Sequence, residues 1–427
     1  MRTNFTDEQL TDPGIKLSND ILRKCVHCGF CTATCPTFVI LGDEADSPRG
    51  RITLIQNMLE SGKPPTPGVV KHLDRCLSCL SCMTTCPSGV EYKHLIDFAR
   101  QHVEQTFTRP LPERLFRNLL ARLVPNPSLF RLALLAAPLA RLLQSLPGGR
   151  LNNMVAMAPA VDSGHSPFAK RRVVPAEGSK RWRVALFSGC AQQVLRPAIN
   201  QATIRLLARH GCEVVVVEGT GCCGAASHHL GRTKEALDYA RANVGAWTAE
   251  ADENGLDAIV FNASGCGVTL KDYGVLLAHD SQWAAPAARV ASLCKDISEV
   301  MADLEMKPSV LAEPLEVAYH SACSMQHGLK LGAAPRRLLE AAGYHVSEPA
   351  EGHLCCGSAG TYNLLQPELA EKLLARKLAS LHVLEAQLIA TGNIGCLVHL
   401  ASGAERPVVH SVELLDWATG GPRPPGM

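Results

Sequence analysis

Residues 25–36 read Cys-Val-His-Cys-Gly-Phe-Cys-Thr-Ala-Thr-Cys-Pro, and residues 76–87 read Cys-Leu-Ser-Cys-Leu-Ser-Cys-Met-Thr-Thr-Cys-Pro. Both stretches place three cysteines three residues apart, a fourth cysteine four residues further on, and then a proline. This C-x2-C-x2-C-x3-C-P pattern is typical of domains that bind two [4Fe–4S] clusters. A zinc site is the alternative, but zinc takes four ligands, commonly as two C-x2-C pairs. Zinc therefore does not explain the third cysteine and the Cys-Pro step of each stretch.

The spacing also indicates how the eight cysteines divide between two clusters. Three thiolates in one tight loop can face three irons of a single cube. The fourth thiolate, after a longer step and a turn at proline, points towards the neighbouring cube. We therefore assign Cys25, Cys28, Cys31 and Cys86 to the first cluster, and Cys76, Cys79, Cys82 and Cys35 to the second.

The composition of the whole chain limits the other classes of function. Its 427 residues are 46% hydrophobic and 19% charged, which excludes a disordered tail protein and an integral multi-span membrane protein. The formal net charge of +2 argues against nucleic acid as a partner. The first ten residues are polar and contain no apolar signal segment. We therefore expect the 18 cysteines to lie in a reducing compartment, where metal sites are commoner than disulfides.

A helical two-cluster domain is predicted for residues 1–108. Residues 47–59 read as a turn followed by a helix with an apolar face, and residues 92–107 read as a closing helix. The cluster-binding loops would therefore be held between helices.

Residues 109–180 form a basic segment. Residues 109–183 contain 13 Lys or Arg and three acidic residues, a net charge of +10. Apolar side chains follow a helical stripe over residues 115–123, and a second apolar stretch at residues 132–140 is too short to span a bilayer. One interpretation is a surface for anionic lipid or a partner subunit. The preferred one is a pair of helices that cover the cluster domain or link domains, followed by a linker at residues 147–180.

The C-terminal half contains an internal duplication. Four cysteines recur at offsets of 133, 133, 133 and 130 residues, and each copy holds a Cys-Cys-Gly triplet. The first set is Cys190, Cys222, Cys223 and Cys266, and the second set is Cys323, Cys355, Cys356 and Cys396. We place the two copies at residues 181–305 and 306–427. Cys212 and Cys294 have no counterpart in the repeat and are expected to be ordinary buried thiols.

Each copy reads as alternating strands and helices. This alternation predicts a parallel sheet covered by helices, so the overall fold class is α plus α/β. In the first copy, apolar strands at residues 184–187, 213–217 and 258–261 each precede a cysteine of the set. Sites in such sheets lie at the carboxyl ends of the strands, so we expect four thiols to converge there. In a reducing compartment, metal or redox chemistry is favoured over disulfides.

One motif suggests a nucleotide site. Residues 219–224, Gly-Thr-Gly-Cys-Cys-Gly, match the G-x-G-x-x-G pattern of dinucleotide-binding proteins. In the second copy, Leu354 stands in place of Gly221, the glycine that would let the backbone approach a pyrophosphate. Because the duplication keeps the cysteine pair and not this glycine, we expect no flavin or nucleotide site.

The two cysteine stretches, the Ser-Pro-Arg-Gly-Arg sequence at residues 47–51 and the two Cys-Cys-Gly domains resemble the iron–sulfur subunits of bacterial glycolate oxidase (glycolate dehydrogenase) over nearly the whole chain. The resemblance implies an electron-transfer subunit with two [4Fe–4S] clusters and no catalytic residue of its own. In that family, flavoprotein subunits oxidise glycolate to glyoxylate, and the iron–sulfur subunit passes the electrons on to quinone. It also implies a cytoplasmic protein that is peripheral on the cytoplasmic face of the inner membrane.

Related iron–sulfur subunits serve the oxidation of D-lactate or glycerol 3-phosphate, and others belong to heterodisulfide reductases, so these activities are the alternatives. The cysteine-pair domains of heterodisulfide reductases bind non-cubane clusters through five thiolates. Here Ala263 and Asn393 stand where the fifth cysteine would be, which argues against a thiol–disulfide enzyme. An additional four-thiolate cluster in these domains and a purely structural docking scaffold both stay open.

Four histidines lie near the cysteine pairs in the sequence. They could tune or ligate a metal centre, but local packing is the preferred interpretation for each. These residues are His228, His229, His320 and His353.

Overall fold

A computed structural model describes residues 1–142 and 171–427 of the chain. The N-terminal part is helical, as predicted. Helices α1, α3 and α6 pack together through Ile21, Ile55 and Leu95, which are almost completely buried. The first six helices are α1 (Pro13–Lys24), α2 (Pro36–Leu41), α3 (Pro48–Ser61), α4 (Pro67–Asp74), α5 (Ser81–Thr85) and α6 (Tyr92–Thr106).

The starts of these helices follow from local sequence. Asp12 caps α1 by accepting hydrogen bonds from the backbone N–H groups of Gly14 and Ile15, and the Ser47 hydroxyl caps α3. Proline stands at the first position of α1, α2, α3 and α4, where its missing N–H costs nothing. The proline at the start of α2 therefore ends the first cysteine loop directly after Cys35.

Helices α7 (Leu111–Leu123) and α8 (Pro127–Leu142) follow in the basic segment. On one side of α7, Phe116 and Leu120 pack against Leu230 and Leu365. Leu230 belongs to the first copy of the repeat and Leu365 to the second. Helix α7 therefore lies where the N-terminal domain meets both copies.

The opposite side of this helix pair is apolar and exposed. Its exposed leucines are Leu111, Leu115, Leu119, Leu129, Leu132 and Leu135. Among the described residues, no single helix has the length and apolar composition to cross a membrane. Helices α7 and α8 meet those criteria only as a pair, with a bend of 115° between them.

The first copy is built on a five-stranded sheet in the order β1-β3-β2-β4-β5. Its strands are β1 (Arg172–Val174), β2 (Trp182–Leu186), β3 (Cys212–Val216), β4 (Ala258–Phe261) and β5 (Cys294–Asp296). The helices of this copy are α9 (Gln192–Leu195), α10 (Pro197–Arg209), α11 (Ala225–His229), α12 (Thr233–Asn254), α13 (Ser264–Leu270), α14 (Tyr273–Leu276), α15 (Ala284–Leu293) and α16 (Ile297–Leu304).

Strand β1 departs from the prediction. Strands β2 to β5 pair in parallel as expected, but β1 pairs antiparallel with β3, with Arg172 opposite Val216. Three residues at a sheet edge are too short to give an alternating pattern that can be recognised in sequence. Strand β1 lies within the stretch predicted as a linker, and residues 147–170 of that linker lie outside the described residues.

The second copy repeats the same topology without the extra edge strand. Its sheet is parallel throughout, in the order β7-β6-β8-β9, which matches β3-β2-β4-β5 of the first copy. Its strands are β6 (Glu316–His320), β7 (His345–Ser347), β8 (Leu388–Thr391) and β9 (Val408–His410). Its helices are α17 (Ala334–Ala341), α18 (Tyr362–Leu365), α19 (Pro367–His382), α20 (Ile394–Ala401) and α21 (Ser411–Ala418), and residues Ser324–Gly328 form a π-helical turn.

The two copies share one apolar core that continues from one sheet to the other. Helix α10 of the first copy packs on α21 of the second. At their border, the buried Asp416 carboxylate binds Arg205 at 2.6 Å and Arg209 at 3.0 Å. The predicted fold class, a helical cluster domain followed by two α/β domains, is confirmed.

Candidate metal centres

The first four-cysteine set surrounds a cavity at the ends of α1 and α5. Cys25 directly follows α1, and Cys86 directly follows α5. Together with Cys28 and Cys31, they line about 440 Å³ of atom-free space. The chain therefore brings the fourth cysteine of the second stretch to the three leading cysteines of the first.

The second set has the reciprocal arrangement. Cys76, Cys79 and Cys82 line about 330 Å³ of atom-free space together with Cys35, the residue directly before α2. Cys82, Pro48 and Tyr92 line both cavities. The two cavities therefore share a wall, and electrons moving between centres held there would cross a short distance.

The two loops follow the same backbone path. His27 and Gly29 in the first loop have positive φ angles of 55° and 85°, and Ser78 and Leu80 at the matching positions of the second have 52° and 65°. Positive φ is favourable for glycine and costs of order 1–3 kcal/mol for other residues. This cost is consistent with loops whose shape is set by the group that they hold.

Burial of these thiols fits a metal cluster. Burial raises the pKa of Cys31 to about 11. Burial also raises the pKa values of Cys79 and Cys82 well above the ordinary value, and neighbouring thiols add to the effect. A thiolate at these positions needs compensating positive charge, which the irons of a cluster supply.

Cationic and hydroxyl groups surround the second cavity. Arg51 is buried, and its Nη1 lies 3.9 Å from Cys35 Sγ while its Nη2 lies 3.2 Å from Asp46 Oδ1. Burial opposes the charge of Arg51, but the anionic groups around it, beginning with Cys76, raise its pKa above the ordinary value. The Tyr92 hydroxyl lies 3.9 Å from Cys76 Sγ. Such groups tune the reduction potential of a cluster.

The four cysteines of each repeat copy also converge, as the sequence predicted. In the first copy, Cys190 follows β2, the pair Cys222 and Cys223 follows β3, and Cys266 lies in α13 after β4. The neighbouring Cys222 thiol and burial together raise the pKa of Cys190 well above the ordinary value. The backbone N–H of Gly224 lies 3.4 Å from Cys222 Sγ.

In the second copy, two pairs of thiols are in contact. Cys323 Sγ lies 3.8 Å from Cys355 Sγ, and Cys356 Sγ lies 3.4 Å from Cys396 Sγ. These distances are far longer than the 2.05 Å of a disulfide. All 18 cysteines lie within the described residues, and all are free. Cys212 and Cys294, outside the sets, are buried in strands, and burial raises the pKa of each to about 12.

The glycine after each cysteine pair has a packing role. Gly224 and Gly357 have φ angles of 88° and 98°, and a Cβ on either would lie within 2.9 Å of the carbonyl oxygen of Ala236 or Ala370. Only glycine allows the cysteine loop to approach the following helix so closely. By contrast, a Cβ on Gly221 would meet no atom within 4 Å, so this glycine is not required for packing.

The histidines near the cysteine pairs differ in their surroundings. His228 and His229 lie 3.6 and 3.2 Å from the carboxylate of Asp97 on α6, so packing between domains accounts for both. The backbone carbonyl of His353 accepts a hydrogen bond from His327 Nε2 at 3.3 Å. His320 is 1% exposed, and neither of its ring nitrogens has a hydrogen-bond partner among the described residues. Burial lowers the pKa of His320 to about 3, so its imidazole is neutral.

The second copy contacts the second cavity directly, which the sequence did not indicate. Cys79 and Cys323 pack on one apolar cluster that includes Leu77 and Cys355. In the same region, the Tyr362 hydroxyl donates to the carbonyl of Arg75 at 3.1 Å. Residues so far apart in the chain meet only because the domains pack together, and no local pattern reports that packing.

Comparison with known proteins agrees with this geometry. A 4Fe-4S dicluster domain matches residues 24–90, and a cysteine-rich domain matches twice, at residues 184–271 and 317–401. The glycolate oxidase iron-sulfur subunit of Escherichia coli is 42% identical over 418 residues, which cover 98% of this chain and 99% of that protein. The chain belongs to the family of glycolate oxidase iron–sulfur subunits.

Other relatives support the same placement. The probable glycolate oxidase iron-sulfur subunit of Bacillus subtilis is 34% identical, covering 93% of this chain and 94% of that protein. Lactate utilization protein A of Geobacillus kaustophilus is 28% identical, but the match covers only 55% of this chain and 98% of that protein. As a glycolate oxidase iron–sulfur subunit, the chain is an iron–sulfur protein and one component of a larger oxidoreductase complex.

Proposed function

We propose that this chain carries electrons within a complex that oxidises glycolate to glyoxylate, receiving them from a flavoprotein partner and passing them through two [4Fe–4S] clusters. The observation that carries the proposal is the pair of adjacent cavities. The first is lined by the three leading cysteines of the first stretch and by Cys86, and the second by the three leading cysteines of the second stretch and by Cys35, while Cys82 lies in the wall between them. Their thiols are the ligand type that such clusters need.

The proposed ligands are those assigned from the sequence. Cys25, Cys28, Cys31 and Cys86 would hold one cluster, and Cys76, Cys79, Cys82 and Cys35 the other. Each cluster supplies a one-electron carrier when bound. The protein's part is to bind the irons through thiolates and to place buried Arg51 and the Tyr92 hydroxyl near the sulfur atoms of the second set. No catalytic residue is assigned to this chain.

Glycolate is favoured over lactate by the extent of the matches. The two relatives named for glycolate oxidase cover 98% and 93% of the chain, whereas the lactate utilization protein covers 55%. A thiol–disulfide enzyme is disfavoured because Asn393 replaces a cysteine and caps α20, accepting hydrogen bonds from the N–H groups of Gly395 and Cys396.

We further propose that the protein contacts the cytoplasmic face of the inner membrane and that quinone is the electron acceptor. The exposed leucines of α7 and α8, defined here as the leucine face, support it. The surrounding segment is basic, which suits a surface of anionic lipid headgroups.

Glycolate-dependent reduction of the clusters tests the proposal. The full chain, purified anaerobically, would be mixed with its flavoprotein partner subunits, and cluster reduction followed by EPR and visible absorbance. We expect glycolate to reduce the clusters only when the flavoprotein is present, and D-lactate and glycerol 3-phosphate to reduce them more slowly. Reduction by glycolate without the flavoprotein, or no reduction in the assembled complex, would contradict the proposal.

A further inference from the structure

The two repeat copies differ at one buried position beside their thiols. His320, at the end of β6, corresponds to Phe187 in the first copy, since both lie three residues before the first cysteine of their set. Phe187 packs edge-on against Trp247, with ring centroids 5.9 Å apart. The first copy therefore fills this position with an apolar ring, whereas the second copy places a polar imidazole there.

The surroundings of His320 contain metal-binding groups. A ring nitrogen of His320 and the Sγ atoms of Cys356 and Cys396 all lie within 4.8 Å of one another, and all three residues are buried. No hydrogen bond within the described part of the chain satisfies the ring. Burying a polar group without a partner is costly, so an unpartnered imidazole facing two thiols points to a ligand that it binds.

A second asymmetry is a basic side chain beside the thiols of the second copy. Lys377 on α19 is buried near Cys355 and Cys356, and its Nζ donates a hydrogen bond to the carbonyl of Glu351. At the matching position on α12, the first copy has Asn243, which donates a hydrogen bond to the carbonyl of Cys222. Where the first copy has Phe187 and Asn243, the second copy therefore has two basic side chains, His320 and Lys377, close to its thiols.

We propose that the second cysteine-rich domain binds a single transition-metal ion, iron or zinc, with His320, Cys356 and Cys396 as ligands and a thiol of the Cys323–Cys355 pair as the fourth. Two thiolates bound about 2.3 Å from one tetrahedral ion lie about 3.8 Å apart, close to the 3.4 Å between Cys356 Sγ and Cys396 Sγ. Both metals accept mixed thiolate and imidazole ligands. The site is independent of the glycolate assignment.

Metal analysis of variants tests this site. Iron, zinc and acid-labile sulfide would be measured on the anaerobically purified full chain, together with the EPR spectrum of the reduced protein. We expect about eight sulfides and one equivalent of iron or zinc beyond about eight irons, the content of two [4Fe–4S] clusters. His320→Phe, which copies the first repeat, should lose that one equivalent and keep the sulfide content and the EPR spectrum.

Two further variants keep the test decisive. His320→Cys retains a metal ligand and should retain the additional ion, and Phe187→Leu, at the matching position of the first copy, should also retain it. If His320→Phe fails to fold, as judged by circular dichroism, Cys396→Ser replaces it. Full metal content in both ligand-removing variants, or no metal beyond two clusters in the unaltered chain, would overturn the proposal.

The sulfide measurement separates this site from the N-terminal clusters. Sulfide clearly above eight would mean a cluster in place of the single ion and would overturn the mononuclear site. Iron and sulfide both far below eight would instead show failure of the N-terminal assignment, and His320→Phe would still report on the second site by its loss of metal.

Discussion

The Thr84 hydroxyl lies 2.8 Å from Nδ1 of His327, a contact across 243 residues that joins the second cysteine loop to the second repeat copy. Thr84 stands between Cys82 and Cys86, and His327 lies four residues after Cys323. Because His327 Nε2 donates to the carbonyl of His353, its Nδ1 can accept from the Thr84 hydroxyl, which shares its one proton with the carbonyl of Ser81 at 3.1 Å. This contact therefore links the cluster domain to the domain that holds Cys323 and His320.

Thr84→Val should remove this contact together with the local hydrogen bond from the Thr84 hydroxyl to the carbonyl of Ser81. Loss of one partly buried hydrogen bond costs about 1 kcal/mol, so we expect a lower unfolding temperature with cluster content unchanged. Differential scanning calorimetry with metal analysis measures both, and Thr53→Val on the exposed side of α3 is the matched control. An unfolding temperature equal to that of the control would show that the contact contributes nothing.

Arg51→Met should lower the reduction potential of the second cluster. Arg51 places a buried positive charge 3.9 Å from Cys35 Sγ, and removing this charge makes the addition of an electron less favourable. An EPR-monitored redox titration would measure the reduction potentials of the two clusters, and we expect the potential of the first cluster to change less than that of the second. Arg51→Lys keeps the charge and should restore most of the potential. An unchanged or higher potential in Arg51→Met would refute this role.

Charged substitutions on the leucine face should reduce membrane binding. Leu115 and Leu132 are 57% and 65% exposed, so Leu115→Asp with Leu132→Asp should leave the fold intact while opposing contact with anionic lipid. Co-sedimentation with vesicles containing phosphatidylglycerol measures the effect, and we expect at least a several-fold loss of bound protein. Val383→Asp, at an exposed apolar residue of the second copy, is the control. Equal vesicle binding by the unaltered chain, the double leucine variant and Val383→Asp would contradict a membrane contact at the leucine face.

Stability should fall as the pH drops from about 6.5 towards 4. Burial lowers the pKa of His410 to about 4, below the ordinary value of 6.5, so the unfolded chain binds the proton first. The contribution of neutral His410 to the free energy of unfolding is therefore fully present above about pH 6.5. It is lost as the pH falls from about 6.5 to about 4, and the total loss is about 3 kcal/mol.

His410→Asn should reduce this pH dependence. The Asn side chain can still accept the hydrogen bond that His410 Nδ1 receives from the N–H of Val412, but it does not titrate. Urea unfolding at several pH values compares the variant with the unaltered chain and with His345→Asn, a substitution of an exposed histidine. The same slope of stability against pH in all three would contradict the role given to His410.

The sequence was sufficient for the features that depend on local pattern. The cysteine spacing predicts the exchange of Cys35 and Cys86 between the two sets. Cys86 lines the cavity of the first loop and Cys35 that of the second, and their roles as cluster ligands stay a prediction. The repeat predicted two parallel sheets with thiols at the strand ends. Both features follow from short-range geometry, which residue spacing encodes.

Features that depend on domain packing were not predictable in this way. The approach of Cys79 to Cys323 and the Thr84–His327 contact arise where separate domains meet. Sequence distance alone favours local packing for His320, because it cannot show that the ring lacks a hydrogen-bond partner among the described residues. Comparison of His320 with Phe187 across the repeat was the available signal, since a polar residue replaces an apolar one at a strand end.

The most direct test of the central claim is the iron and sulfide content of the chain, with EPR of the reduced protein, for the unaltered sequence and for Cys35→Ser and Cys86→Ser. Two clusters with exchanged fourth ligands predict about eight sulfides and coupled [4Fe–4S] signals in the unaltered chain. Cys86→Ser should then impair the cluster of the first loop, and Cys35→Ser that of the second. Near-zero iron with bound zinc, or unchanged clusters in both variants, would contradict the account.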